Sequence, residues 1–175
     1  MRRLHIIDVF SAEAFLGNPV AVVLDSEGLS ATDMQKIARW TNLSETTFVL
    51  PPTVQGADYR LRIFTPRSEL PFAGHPTLGS AHAVLSAGLV SRRSQLIQEC
   101  SADCVVIIPS RDNDMSKYRL RLPEAVTRVE SAQTAAQLVE VLGDEIDRSR
   151  EPRVIDVGPK WLVAKMPSID QLLKI

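Results

Sequence analysis

The amino-acid sequence predicts an α+β fold in which a mostly antiparallel sheet is rolled around one buried helix. Two observations carry that expectation. Strand-like segments at Gln95 to Glu99, Val105 to Ile108 and Tyr118 to Leu122 follow one another across short polar links, which favours antiparallel pairing over repeated β-α-β crossovers. Upstream of them, Pro76 to Ala87 consists almost wholly of small or apolar residues, so a helix there has no charged face and belongs inside. Composition agrees: of 175 residues, 45% are hydrophobic and 23% charged, which suits a globular domain and excludes disordered, collagen-like and disulfide-rich chains.

The elements follow in order. Leu4 to Phe10 and Val20 to Leu24 read as strands separated by the turn signal Gly17-Asn18-Pro19. Ser30, with Asp33 three residues on, marks a helix start, and Met34, Ile37, Ala38 and Thr41 recur at helical spacing, predicting a helix from Ala31 to Thr41. Thr46 to Leu50 returns to strand character and stops at Pro51-Pro52, while Tyr59, Leu61 and Ile63 alternate with Arg60 and Arg62 as in a half-exposed strand. Pro76 suits the first turn of the buried helix and Gly88 the position just past its end. Beyond the three strands named above, a helix is expected over Ala132 to Leu142, capped by Ser131 and closed by Gly143. The charged stretch from Gly143 to Pro152 reads as a loop or boundary. Strands are then expected at Val154 to Val157 and Trp161 to Ala164, and a helix begins at Ser168 with Gln171 and runs to Ile175 without a stop signal.

Charge narrows the function classes. The chain has 20 Lys and Arg against 21 Asp and Glu, with 7 basic and 8 acidic residues up to Val90 and 13 of each beyond it. Neither part has the basic excess that binding to a phosphate backbone requires, so nucleic acid is not an expected partner. No stretch approaches the ~20 apolar residues of a membrane span, and Asp8 interrupts the start before a signal-type apolar core forms. A cytoplasmic protein with no membrane partner is expected. Cys100 and Cys104, the two cysteines, read as reduced thiols flanking a hairpin, because a single C-x3-C pair is a poor zinc signal.

Three positions place reactive groups beside tight or apolar backbone. Glu45 stands at a helix-to-strand junction next to Ser44 and near Phe48; a carboxyl among apolar side chains loses the water that favours its ionised form and becomes able to take and give a proton. The plainer reading is a solvated glutamate at a helix end. His75 lies in Phe72-Ala73-Gly74-His75-Pro76-Thr77, just before the buried helix, where unpaired N–H groups and the helix dipole favour a substrate carboxylate while the imidazole exchanges a proton. A histidine that merely satisfies local backbone is the alternative. Asn18 can offer hydrogen bonds to a ligand, or simply form its turn. His82 reads as a packed, hydrogen-bonded core histidine. Nucleophile-elbow, phosphate-loop, dinucleotide and H-E-x-x-H motifs are absent from the sequence, and His5, His75 and His82 lack metal-ligand spacing.

Taken together, several ordered blocks resemble the PhzF-like family of phenazine biosynthesis, with its diaminopimelate epimerase-like fold. They are Asp8-Val9-Phe10, Gly17-Asn18-Pro19-Val20-Ala21-Val22, Met34-Gln35-Lys36-Ile37-Ala38, Asn42-Leu43-Ser44-Glu45-Thr46-Thr47-Phe48-Val49, Arg62-Ile63-Phe64-Thr65-Pro66 and Glu69 through Ala81; Gly158-Pro159 and Trp161-Leu162-Val163 match more loosely. The resemblance implies a mixed, mostly antiparallel sheet rolled around a central helix, two such lobes with the active site between them, and proton transfer without a cofactor or metal. It implies that Glu45 is the general acid/base and His75 a catalytic partner, with Asn18, Ser44, Gly74 and Thr77 in substrate binding. The substrate implied is small and carboxylated. Related racemases carry a reactive cysteine in this glycine loop; here Ala73 and Gly74 stand there, which argues against a thiol mechanism.

On this reading, residues 1–143 form the first lobe, 144–152 a linker and 153–175 the start of an incomplete second lobe. Nothing from Val154 to Ile175 matches the aspartate and Gly-Ser site that the family's second lobe supplies. Three outcomes stay open: an isomerase or epimerase completed by another chain, such as a homodimer partner or a second lobe covering the cleft; an inactive lobe that binds a ligand or a protein; or a fragment of a longer enzyme.

Overall fold

The structure is a computed structural model and describes residues 1–110, 117–122, 126–142, 146–157 and 160–175. The chain forms two compact units, Met1–Pro123 and Glu124–Ile175.

The first unit contains, in chain order, β1 (Leu4–Val9), β2 (Asn18–Val23), α1 (Ala31–Thr41), β3 (Glu45–Leu50), β4 (Tyr59–Phe64), β5 (Glu69–Leu70), α2 (Gly74–Ser86), β6 (Leu96–Glu99), β7 (Cys104–Pro109) and β8 (Tyr118–Leu120). Its strands make one mixed sheet in the order β1-β2-β3-β4-β6-β7-β8, with β5 paired to β4. Two neighbour pairs are parallel, β2 with β3 and β4 with β6; the others are antiparallel. The parallel pairs are joined through α1 and α2 respectively, and the β3–β4 hairpin reverses the strand direction between them. Crossovers of one hand then place the two helices on opposite faces of the sheet.

The core shows that arrangement. Val20, Val22, Leu24, Val49, Leu61 and Ile63 pack with Ala81, Ala83 and Val84 of α2. Val23, Phe48 and Phe64 pack with Met34 and Ala38 of α1 on the other side, and the two phenylalanine rings meet edge to face at 5.5 Å. Strands β2, β3 and β4 thus each serve two cores by the alternation of their side chains.

Local chemistry fixes the helix ends. Ser30 accepts a hydrogen bond from the Asp33 N–H at the start of α1, and Asn42 closes that helix in the left-handed region at φ 54°. The α2 helix ends before Gly88, which adopts φ +68° and donates its N–H to Leu85 O. It begins at Gly74, two residues earlier than the sequence predicts, so His75 lies inside the first turn. Pro76 is compatible with that turn because its missing N–H has no partner there. Gly79 is where α2 comes closest to the sheet: a Cβ at this position would lie 2.5 Å from Val20 Cγ1 and 3.0 Å from Val9 Cγ2. The small residues of α2 let the sheet curl onto it.

The second unit holds β9 (Val126–Val129), α3 (Ala132–Leu142), β10 (Arg153–Asp156), β11 (Lys160–Val163) and the short α4 (Ile169–Leu172). Its strands form an antiparallel sheet in the order β11-β10-β9. Ser131 caps α3 by accepting the Thr134 N–H, and Ser168 caps α4 by accepting the Gln171 N–H. The charged stretch expected as a linker falls inside this unit: Asp147 pairs with Lys165 at 2.5 Å and donates its own N–H to Lys165 O. The expected stop at Gly143 and the loose match at Gly158-Pro159 lie outside the described residues. Strands β5 and β9 are not predicted by the sequence, and α4 ends at Leu172 rather than running to Ile175. Among the described residues no helix is long and apolar enough to cross a membrane.

Candidate active site

The site is built where β2 and β3 begin and α2 starts. Residues Asn18, Val20 and Val22 of β2 share a face, as do Glu45, Thr47 and Val49 of β3, and it is the face that packs on α2. The parallel register sets Val20 opposite Glu45. Asn18 and Glu45 therefore open towards the first turn of α2, which carries His75.

There Glu45 Oε2 and His75 Nε2 face each other at 3.3 Å, with only 16% and 10% of the two side chains exposed. Both atoms are shielded from solvent and lie off the line of a hydrogen bond, and neither has another protein partner. On the other side of the imidazole, Asn18 Nδ2 lies 3.5 Å from His75 Nδ1, and the Ser44 hydroxyl donates to Asn18 Oδ1 at 3.3 Å. Burial pushes the His75 imidazolium down towards its neutral form, against the opposing pull of the Glu45 carboxylate and the Pro19 carbonyl. A neutral imidazole and a carboxyl group, apposed and screened from water, can pass a single proton between them or to a third group.

The start of α2 adds donors. Its N-cap, Ala73, provides no side-chain hydrogen bond, so the N–H groups of Gly74 and His75 in the first turn are left to serve a ligand, and the helix dipole favours an anion there. Thr77 is placed differently. Its side chain is fully buried, its hydroxyl accepts from Gln98 Nε2 at 3.1 Å, and its N–H donates to Ala73 O. The structure brings Asn18, Ser44, Glu45, Gly74 and His75 together and turns Thr77 into the core.

One neighbour of the pair is not foreseen by the sequence. Phe10 is 74% exposed, sits in the left-handed region at φ 72°, and holds its ring 6.4 Å from that of His75. A positive φ at an aromatic residue has no sequence signal. His82 lies elsewhere on α2, bonded to the Tyr118 hydroxyl at 3.1 Å and to Ser86 at 3.3 Å. It lines, with Phe10, Leu78 and Tyr118, a cavity of about 700 Å³ that neither Glu45 nor His75 reaches. Cys100 and Cys104 are free thiols beside the β6–β7 turn. Among the described residues, no group of three or more His, Cys, Asp or Glu could hold a metal ion.

A family model described as phenazine biosynthesis-like protein (PhzC-PhzF) matches residues 7–175. The chain is 45% identical over 174 residues to antisense-enhancing sequence 1 of Schizosaccharomyces pombe, covering 97% of this chain and 59% of that protein. It is 38% identical over 173 residues to trans-2,3-dihydro-3-hydroxyanthranilate isomerase of Pseudomonas fluorescens, covering 98% and 60%. Among solved structures, a predicted epimerase from Pseudomonas aeruginosa superposes with a TM-score of 0.84 at 27% identity, over 98% of this chain and 61% of that one. The chain spans about three fifths of the length of these relatives.

Proposed function

Since the chain belongs to the phenazine biosynthesis-like protein family, we propose that it serves as the proton-transfer lobe of an isomerase acting on a small carboxylated substrate. The observation that carries this reading is the water-screened apposition of Glu45 Oε2 and His75 Nε2 at 3.3 Å. In the proposed reaction, the Glu45 carboxylate removes a proton from a substrate carbon and returns it to another, so that no net proton is gained or lost. Neutral His75 stands beside that carboxyl to share the proton while it is in transit. The N–H groups of Gly74 and His75 at the start of α2 hold the substrate carboxylate, with Asn18 and Ser44 fixing the imidazole and the rim. Thr77 contributes by fixing the helix, because its polar groups are already engaged. The reaction needs no cofactor, since the carboxyl group is both base and acid.

The Pseudomonas fluorescens relative is named for trans-2,3-dihydro-3-hydroxyanthranilate, and this compound is the first substrate to test. Incubation of the protein with it in deuterated water is expected to place deuterium on carbon, read by mass spectrometry. Glu45→Gln is expected to slow that exchange by about 100-fold or more, the usual scale for removing a general acid/base. Equal exchange by the variant overturns the role given to Glu45.

A further inference from the structure

Glu45 and Thr47 stand on the same face of β3, and Thr47 reaches α2. Its Oγ1 meets Ser80 Oγ at 2.8 Å, with both residues fully buried, and it donates onward to the Ala21 carbonyl at 3.4 Å. This contact joins the strand that carries Glu45 to the helix that carries His75. Thr77 and His82 tie α2 to Gln98 of β6 and Tyr118 of β8, whereas towards β3 its buried residues Gly79, Ala81 and Ala83 are small and bring no polar group of their own. Packing between small apolar groups is non-directional and sets the placement of a helix on one strand loosely; a hydrogen bond to that strand sets it closely.

We propose that the Thr47–Ser80 hydroxyl pair is a positioning device that sets the axial placement of α2 on β3 and thereby the separation of Glu45 and His75. The proposal rests on the reading of those two residues as the proton-transfer pair, which tolerates little displacement: a misplacement of ~1 Å at a reacting group can cost about 100-fold in rate. The alternative is a polar pair satisfied in the core that adds only stability. A matched contact on the same strand separates the two. Thr46, equally buried, meets the Thr41 hydroxyl at 2.6 Å on the opposite face, against α1.

The test is the titration of the His75 imidazole, followed by nitrogen-15 NMR in the 175-residue protein. The Glu45 carboxylate raises the His75 midpoint, so letting the pair drift apart lowers it. Thr47→Val combined with Ser80→Ala is expected to lower the midpoint by about 0.5 or more, while Thr46→Val leaves it in place despite a comparable loss of stability. Thr47→Ser, which keeps the hydroxyl, is expected to restore the wild-type midpoint. In a Glu45→Gln background the Thr47→Val and Ser80→Ala changes should have no further effect. Ser80→Ala alone, a mild change in an alanine-rich helix, gives the same direction if the double variant does not fold. A wild-type midpoint in Ser80→Ala and the double variant overturns the proposal, as does an equal shift in Thr46→Val or an undiminished shift without Glu45. Deuterium exchange that survives Glu45→Gln refutes the proton-transfer reading and leaves the measured coupling of position to His75 intact.

Discussion

His75 is held neutral chiefly by burial, and that has a consequence for stability. An unfolded histidine titrates near 6.5, whereas the folded one is displaced below that value. As the pH falls through about 6.5, the unfolded chain takes up a proton that the folded site resists, so the folded state loses stability. The contribution is complete above the unfolded value and is lost on descending towards the folded one. Thermal melts at pH 7.5 and 5.5 are expected to show a larger drop for the wild type than for His75→Gln; an equal drop would refute the assignment. Residue types marked the positions of the candidate site, a glutamate at a helix-to-strand junction and a histidine before a buried helix, while only the resemblance joined the two as a pair. Thr77, which the resemblance assigns to substrate binding, faces away from His75 because residues two apart on a helix point about 200° away from one another. Its closeness to His75 in sequence therefore sends it to the core, where its hydroxyl accepts from Gln98 Nε2 and the Tyr59 hydroxyl in turn donates to Gln98 Oε1 at 3.0 Å. Phe10 was missed because its placement depends on a backbone conformation that aromatic residues seldom adopt.

At the scale of the element, α2 is defined by what it lacks. Gly79 has room for no Cβ against Val20 and Val9, so Gly79→Ala must move the helix off the sheet. We expect a loss of about 1–3 kcal/mol, the usual cost of overpacking, measured by urea denaturation; a neutral or stabilising result would show that the close approach is not needed. The same smallness made α2 recognisable from sequence, just as the Ser30 cap and apolar spacing revealed α1. The missed strands have a different origin. Strand β5 is two residues long, too short to show any period. Strand β9 is exposed along its whole length, so it carries no buried alternation and exists through its pairing with β10. The expected sheet is mixed, but which strands run parallel is not legible for a related reason: short links argue for hairpins, and only the crossover through a helix discloses which strands run together.

For the whole molecule, the second unit bears the clearest demand for a partner. Trp161, Leu162 and Val163 of β11 are 58%, 44% and 47% exposed, and Ile169, Leu172 and Leu173 beyond it are exposed too. Trp161 and Val163 share one face of β11, and apolar side chains left exposed together on a sheet face ordinarily meet another surface. We expect the 175-residue chain to sediment as a dimer or larger species at tens of micromolar, with Trp161→Lys returning it towards monomer; a strict monomer would contradict this. The first unit makes a different demand. Because β3 feeds two cores on opposite faces, one added residue after Glu45 would exchange the destinations of all that follow, sending Phe48 towards α2 and Thr47 towards α1. Two added residues would restore every side chain to its own face and displace only the turn at Pro51. Damage from insertions in this strand should therefore follow whether their length is odd or even, more than how long they are.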